Sequence, residues 1–352
     1  MNKLIYVLLT LLITSITFSS PYSVKAEAVA RGTLYEDYYF GRQINILDIL
    51  NENKLLGNRE IYRGKNIKVG VLDTGIDYKN DGLHVQGGIS TINNIDDYMD
   101  YNGHGTHVAG IISSSKKHNN RTIGVAPEAQ IFAIKSLNNE GNSKEKSIIA
   151  GVQWAIDHDI DVLNMSIGTE TDAKGVKDVL ESAYKHGIFI VAPVGNSDYP
   201  ESSHITYPAK YSSVFAVGSV NNKLKRSFFS NVGQELDIVS LGEEIYGPSL
   251  NETYTYETGT SMASPYVAGV AAILLSANHN LTNSELKEIL LLSADYLGAK
   301  TEYGYGIINI PKALNLALLK KNNIKLYNYK LNLYKNMMVY RKIMDNKIPP
   351  IL

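Results

Sequence analysis

Short apolar runs alternate with amphipathic segments along the middle of the chain. Five apolar runs have the length of buried strands, at residues 67–72, 131–134, 162–167, 188–194 and 214–220. Apolar residues recur at helical spacing over 144–158 and 174–186, and residues 267–277 are apolar nearly throughout. Strands that alternate with helices are typical of a sheet covered on both faces. The pattern therefore predicts an α/β fold with three layers, αβα, around a central, mostly parallel sheet.

The longest apolar run near the N-terminus has a different character. Lys3 precedes residues 4–18, which are mostly apolar, and residues 24–26 and 26–28 both fit small-x-small cleavage patterns. The run is shorter than the ~20 apolar residues that a membrane-spanning helix needs. We therefore expect a secretory signal peptide over 1–26, a secreted mature protein and no transmembrane anchor.

The C-terminal part of the chain is basic. From residue 320 to 352 there are eight Lys and Arg residues against one acidic residue, Asp345, with many Asn and Tyr. Such a run is usually a solvated tail, and the alternative is an element that attaches the protein loosely to an anionic cell envelope. The predicted organisation is a signal peptide over 1–26, a short leader over 27–42, a main domain over 43–319 and a tail over 320–352.

Composition excludes several classes of function. The 352 residues are 44% hydrophobic and 20% charged, with a net charge of −1, and there is no cysteine. The near-zero charge gives no reason to expect a nucleic-acid partner. Without cysteine there can be no disulfide framework, thiol nucleophile or Cys-type zinc site. We expect a monomer.

Three islands of small residues carry polar groups where predicted strands end or helices begin. VGVLDTG at 69–75 ends a strand on Asp73, and NGHGTHVAG at 102–110 places His104 at the start of a helix. GTSMASP at 259–265 places Ser261 in the first turn of the apolar helix, where backbone N–H groups favour negative charge. Because a serine hydroxyl needs a positioned base to act as a nucleophile, the three together indicate a serine triad.

Each island also has an ordinary interpretation by itself. Asp73-Thr74-Gly75 could be a simple turn, or half of an aspartic-protease site that a dimer would complete. Ser261 could be a helix cap, and His107, three residues after His104, competes for the role of base. A catalytically inactive binding module on the same fold is a further alternative.

Taken together and in this order, the islands resemble the subtilisin family of serine endopeptidases over about residues 43–317. The resemblance implies that the domain at 43–319 is catalytic, with Asp73, His104 and Ser261 as its triad. It assigns the base to His104 and implies that the Asn196 side chain and the Ser261 backbone N–H stabilise the oxyanion. This chemistry requires no cofactor.

The resemblance also implies a protein or peptide substrate that binds as an extended strand. The residues expected to contact it are Ser166, Ile167, Gly168, Gly141, Asn142 and Ser143 beside the strand and Pro193, Val194 and Gly195 in the first specificity pocket. Thr206 falls where many relatives have glycine at the pocket floor, which predicts a shallower or more polar pocket. Glu145, Asp198 and Glu201 are expected near the substrate rim, where carboxylates would favour basic substrates.

Calcium is the usual stabilising ion of this family. Residues 119–125 resemble the family's calcium loop, and the ligands would be Asp81, Asn120, Ile123 and Val125. Arg121 falls at or beside a ligand position and opposes a metal ion. A structural Ca²⁺ and its loss therefore both stay open.

The expected leader over 27–42 is short beside the folding prodomain of secreted relatives. A short leader resembles the peptidases that mature lantibiotic precursors. The biological role therefore stays open between a broad secreted endopeptidase and a dedicated precursor-processing protease.

Overall fold

The computed structural model describes residues 62–92, 97–115, 124–197 and 204–345. All of them belong to one compact unit, Gln43–Leu352. The expected signal peptide and leader lie outside the described residues, as do Asn120, Ile123, Asp198 and Glu201.

A seven-stranded sheet with parallel neighbours forms the centre of the described chain. Its order is β2-β3-β1-β4-β5-β6-β7, and the bounds are β1 Lys68–Asp73, β2 Val85–Ser90, β3 Gln130–Lys135, β4 Val162–Asn164, β5 Phe189–Pro193, β6 Val214–Val220 and β7 Ile238–Leu241. The strands β4, β5 and β6 are buried along their whole length, as expected for strands covered on both faces. A separate antiparallel hairpin pairs β8 (Ile245–Pro248) with β9 (Tyr254–Glu257).

Helices cover the sheet, which confirms the predicted three-layer α/β fold. They are α1 His104–Ser113, α2 Glu145–Asp157, α3 Lys174–Lys185, α4 Thr260–Ala277, α5 Asn283–Ser293, α6 Lys300–Tyr303, α7 Ile310–Asn322 and α8 Ile324–Asp345. Helices α2 and α3 pack on each other, while α4 packs on α1, α7 and the strands β4 to β7. The first turns of α1 and α4 therefore belong to two helices in direct contact.

Helix α4 is the core helix that its apolar sequence predicts. All of its residues are buried except Ser261 and Ser276. By length and composition it is also the one helix in the described ranges that could cross a membrane, but nearly all of it is buried inside the protein. Its apolar character is thus explained by packing against the sheet.

Two parts of the structure differ from the sequence expectations. The run at 162–167 was expected to be one strand, but β4 ends at Asn164. There the Asn164 and Ser166 side chains bond to each other and to the first turns of α4, so polar contacts replace the strand ladder. Within the basic C-terminal part, the described residues up to 345 end in helix α8, whose first half packs on the protein through the buried Tyr327 and Leu331 and is not a solvated tail.

Candidate active site

The end of β1 and the start of α1 bring an aspartate against a histidine. Asp73 is the last residue of β1 and is completely buried, whereas the His104 side chain is 30% exposed. The distance from Asp73 Oδ1 to His104 Nδ1 is 2.7 Å, and the same oxygen accepts the Thr74 backbone N–H. A buried carboxylate thus fixes the orientation of an imidazole that reaches the surface.

The surroundings of the two neighbouring histidines separate their roles. Burial lowers the pKa of His104, but the charge of Asp73 and its hydrogen bond outweigh it and bring the pKa above 6.5. Burial lowers the pKa of His107 to about 4, and its Nε2 lies 3.0 Å from the Ile245 carbonyl oxygen. At neutral pH His107 is therefore an uncharged residue of the interior, and the geometry favours His104 as the base.

A second buried carboxylate, Asp100, holds the turn that carries His104. Its Oδ1 accepts the backbone N–H groups of Asn102 and Gly103, at 2.8 and 3.0 Å, and the Thr74 hydroxyl at 3.0 Å. Its Oδ2 accepts the backbone N–H and the hydroxyl of Thr106, at 3.0 and 2.7 Å. The Asp100 carboxylate therefore connects the residues before and after His104 to Thr74, which follows Asp73 in the chain.

The lysine at the end of β3 compensates part of this buried negative charge. Lys135 is 7% exposed and its ammonium donates to the Thr74 carbonyl. Burial lowers the pKa of Lys135, and the charges of Asp100, Asp97 and Asp73 act in the opposite direction. Sequence reasoning missed both Asp100 and Lys135. An aspartate just before the Asn102-Gly103 turn was the available signal, since Asp side chains commonly bond backbone N–H groups of the residues that follow.

Ser261 and Asn196 meet at the first turn of α4. Ser261 is partly exposed at the end of this otherwise buried helix. Asn196 follows β5, and its Oδ1 accepts the backbone N–H and the hydroxyl of Thr260, at 3.0 and 2.9 Å. A Cβ built on Gly259 would lie 3.3 Å from Asn196 Nδ2. Because the amide oxygen is occupied by Thr260, the amide N–H groups remain as donors beside Ser261.

The hydrogen bonds of the site involve the triad candidates in two separate groups. His104 is bonded to Asp73, while the Ser261 carbonyl accepts the Ser166 hydroxyl at 3.1 Å. Helices α1 and α4, which begin at His104 and Thr260, pack against each other. The structure thus places a histidine–aspartate pair at the start of one helix and a partly exposed serine in the first turn of a second helix that packs against it.

A cleft of about 620 Å³ extends from His104. Both segments expected beside the substrate line it, namely Gly141, Asn142, Ser143, Ser166, Ile167 and Gly168, together with Glu145. Leu137, Ile148 and Val176 add apolar walls. Residues 193–195, expected in the first specificity pocket, are not among its lining residues.

Thr206 lies between Gly168, which lines the cleft, and Gly195 of the expected first pocket. Its hydroxyl donates to the Val194 carbonyl at 3.2 Å. A Cβ built on Gly168 or on Gly195 would lie 2.8 Å from Thr206 Oγ1, so only glycine leaves room for the threonine at both positions. The side chain therefore occupies space between these two segments, and a shallower or more polar first pocket stays a prediction.

The described residues do not assemble a calcium site. Of the four expected ligands they include Asp81, which is exposed, and Val125, whose N–H donates to the Ile111 carbonyl. Within the described ranges there is also no group of three or more His, Asp or Glu side chains placed to hold a metal ion. Asp81 and Val125 alone do not make a set of ligands, and calcium binding stays a prediction.

Comparison with known proteins identifies the family. The model of the Subtilase family matches residues 64–306. Subtilisin DY of Bacillus licheniformis is 42% identical over 253 residues, which cover 72% of this chain and 92% of that protein. Subtilisin E of Bacillus subtilis (strain 168) is 41% identical over 254 residues, which cover 72% of this chain and 66% of that protein. The minor extracellular protease Epr of the same strain is 40% identical over 249 residues, which cover 70% of this chain and 38% of that protein. The chain therefore belongs to the subtilase family and is a serine endopeptidase.

Proposed function

We propose that this protein hydrolyses peptide bonds outside the cell, with Ser261 as nucleophile, His104 as general base and Asp73 as the group that orients the imidazole. The observation that carries the assignment is the 2.7 Å contact between Asp73 and His104 at the start of α1, next to a helix whose first turn exposes Ser261. A neutral imidazole held by a buried carboxylate can accept the serine proton.

The reaction follows from these groups. His104 takes the Ser261 hydroxyl proton while Oγ bonds to the substrate carbonyl carbon. The resulting oxyanion accepts hydrogen bonds from Asn196 Nδ2 and the Ser261 backbone N–H. His104 then gives its proton to the leaving amine and the C–N bond breaks. A water molecule, deprotonated by His104, releases the acyl group as a carboxylic acid and restores Ser261.

We place the substrate as an extended strand along the cleft. The segments Gly141–Ser143 and Ser166–Gly168 line the cleft together with His104. Backbone pairing with such segments holds a peptide without demanding a sequence, and the side-chain pockets supply selectivity. Secretion is supported by the expected signal peptide and by an extracellular relative, the protease Epr.

Labelling with a fluorophosphonate tests the nucleophile. We expect the purified protein to react once, at Ser261, and Ser261→Ala to abolish the reaction because Ser261 is the hydroxyl that His104 activates in the proposed reaction. His104→Ala should also prevent labelling. Peptide mapping by mass spectrometry identifies the modified residue.

The result that would overturn the assignment is labelling of Ser261→Ala at the parent rate. An aspartic protease built on Asp73 predicts the opposite pattern, with Ser261→Ala fully active at acid pH and sensitive to pepstatin. An inactive binding module predicts no labelling of the parent protein.

A further inference from the structure

Helix α8 is a docked helix outside the part of the chain that matches the family. It covers Ile324–Asp345, whereas the family match ends at residue 306. It packs on α5 and α7, with Tyr327 and Leu331 only 3% and 8% exposed. Lys335 pairs with Glu288 of α5 at 2.6 Å. These contacts fix which face of α8 points inward.

The opposite face of α8 is apolar as well. Leu326, Tyr329 and Leu333, which we call the outer row, are 40%, 61% and 47% exposed. Their spacing of three and four residues places them on one side of a helix. A surface helix normally presents polar residues to water on this side. The outer row is therefore an apolar stripe that the described part of the chain leaves uncovered.

Positive charge flanks the outer row. Lys325 is exposed and makes no ion pair within the described residues. Lys330 bonds the neutral side chain of Asn315, whereas Lys320 and Lys335 are paired inward with acids of α5. Residues 320–352 contain eight Lys and Arg and one acid. The cations beside the outer row thus lack compensating carboxylates.

We propose that the outer row docks α8 onto an anionic lipid bilayer. Leucine side chains would enter the boundary of the acyl chains, Tyr329 would lie at headgroup depth, and Lys325 and Lys330 would reach the lipid phosphates. A water-soluble polyanion would engage the lysines but leave the leucines in water. A second copy of this chain, related by twofold symmetry, would bring the same cations together. The bilayer accounts for both the apolar and the charged residues.

Vesicle binding of the full chain tests this docking. The protein carries Ser261→Ala to prevent self-cleavage, and co-sedimentation is measured with phosphatidylcholine vesicles that contain or lack phosphatidylglycerol. We expect binding to the anionic vesicles. The double variant Leu326→Gln/Leu333→Gln should lower the partition coefficient about tenfold or more because the buried apolar area is lost.

Charge is tested separately from apolar area. Lys325→Gln/Lys330→Gln should weaken binding about fivefold per charge at low salt, and rising salt should remove the difference. The matched control is Phe228→Gln, which removes an aromatic side chain that is 71% exposed elsewhere on the surface. It should bind like the parent. The apolar N-terminal run at residues 4–18 is the same in every variant. Any difference in binding between the α8 variants and the parent therefore comes from α8.

Two outcomes would overturn the proposal. The first is no binding to anionic vesicles, and a dimer that Leu326→Gln/Leu333→Gln disrupts would then identify a second copy as the occupant. The second is equal binding by this variant and the parent. Thermal melting of each variant verifies that it is folded. Because the catalytic serine is absent throughout, failure of the docking proposal leaves the proposed reaction untouched.

Discussion

At the scale of single residues, His104 and His107 show how surroundings assign roles within one helix. We predict that kcat/KM falls with decreasing pH through one titration centred above pH 6.5, because the base must be neutral and Asp73 raises the pKa of His104. The measurement is a pH profile with a short peptide substrate. The same raised pKa stabilises the fold below pH 6.5, and this contribution is lost as pH rises through the folded-state value.

His107 supplies the control for this profile. Its pKa of about 4 reflects burial. His107→Asn should therefore reduce stability without moving the acid limb, which is the fall of kcat/KM toward low pH. A limb centred near pH 4 would instead connect activity to His107 and contradict the assignment of the base.

In the proposed reaction, Asp100 acts as a positioning residue for the turn that carries His104. We predict that Asp100→Asn lowers kcat about tenfold with little change in KM, because an amide cannot accept all five hydrogen bonds that the carboxylate receives. The acid limb should also move to lower pH, since the charge of Asp100 contributes to the raised pKa of His104. Steady-state kinetics across pH measure both effects.

The matched control for Asp100 is its exposed neighbour Asp97. Asp97→Asn should retain kcat and the position of the acid limb. If Asp100→Asn lowered activity only by reducing the folded fraction, its acid limb would coincide with that of the parent, and the positioning role would be wrong.

Residues of the candidate site differ in how far the sequence reveals them. Asp73, His104 and Ser261 each lie in a short island of small residues, so a local pattern exposes them. Asp100 has its partners at Thr74 and Thr106, in other segments. Its position before a turn is a local signal, but its bond to the Thr74 hydroxyl, 26 residues away, depends on packing that a local pattern does not record.

At the scale of elements, burial on both faces decided which strands the sequence revealed. The predicted run at 214–220 coincides with β6, which is buried throughout. Strand β2, with the sequence VQGGIS, is mostly half-buried and carries two glycines, so it lacks an apolar run. The run at 162–167 continued past the end of β4 because polar contacts to α4, invisible in the pattern, end the strand at Asn164.

Helix α8 offers a matched pair for testing how it packs. Leu331 is 8% exposed and Leu333 is 47% exposed. We predict that Leu331→Ala lowers the free energy of unfolding by about 2–4 kcal/mol, since a buried leucine leaves a cavity. Leu333→Ala should change it by less than about 0.5 kcal/mol. Chemical denaturation in the Ser261→Ala background measures both. Equal effects would mean that α8 is not docked through Leu331.

At the scale of the whole molecule, the cleft is assembled from segments far apart in the chain. It draws on residues near 74, 102–104, 137–148, 166–176 and 207–211. Family resemblance identified several of these segments, but their convergence follows from the parallel sheet, whose strand ends meet at one edge. Tyr207 and Tyr211, which also line the cleft, carried no local signal in the sequence.

The shape of the cleft combines apolar walls with a carboxylate at the start of α2. Leu137, Ile148 and Val176 are walls, and Glu145 is an exposed residue of the same lining. A lysine or arginine side chain can lay its aliphatic stem on such walls and bring its charged end to the carboxylate. Asp198 and Glu201 lie outside the described residues, so the expected basic preference depends on Glu145.

We therefore predict that peptides with Lys or Arg upstream of the scissile bond are preferred, and that Glu145→Gln lowers kcat/KM for them by several-fold, because an exposed ion pair contributes only about 1 kcal/mol or less. The preference should weaken as salt rises. A peptide library profiled at two salt concentrations measures it, with Glu302→Gln on α6 as an exposed control outside the cleft.

A profile that favours large apolar residues and is unchanged by Glu145→Gln would contradict the prediction and indicate a broad endopeptidase. A sharp basic preference would favour a dedicated precursor-processing protease, since selection of one precursor requires discrimination between side chains that backbone pairing cannot provide.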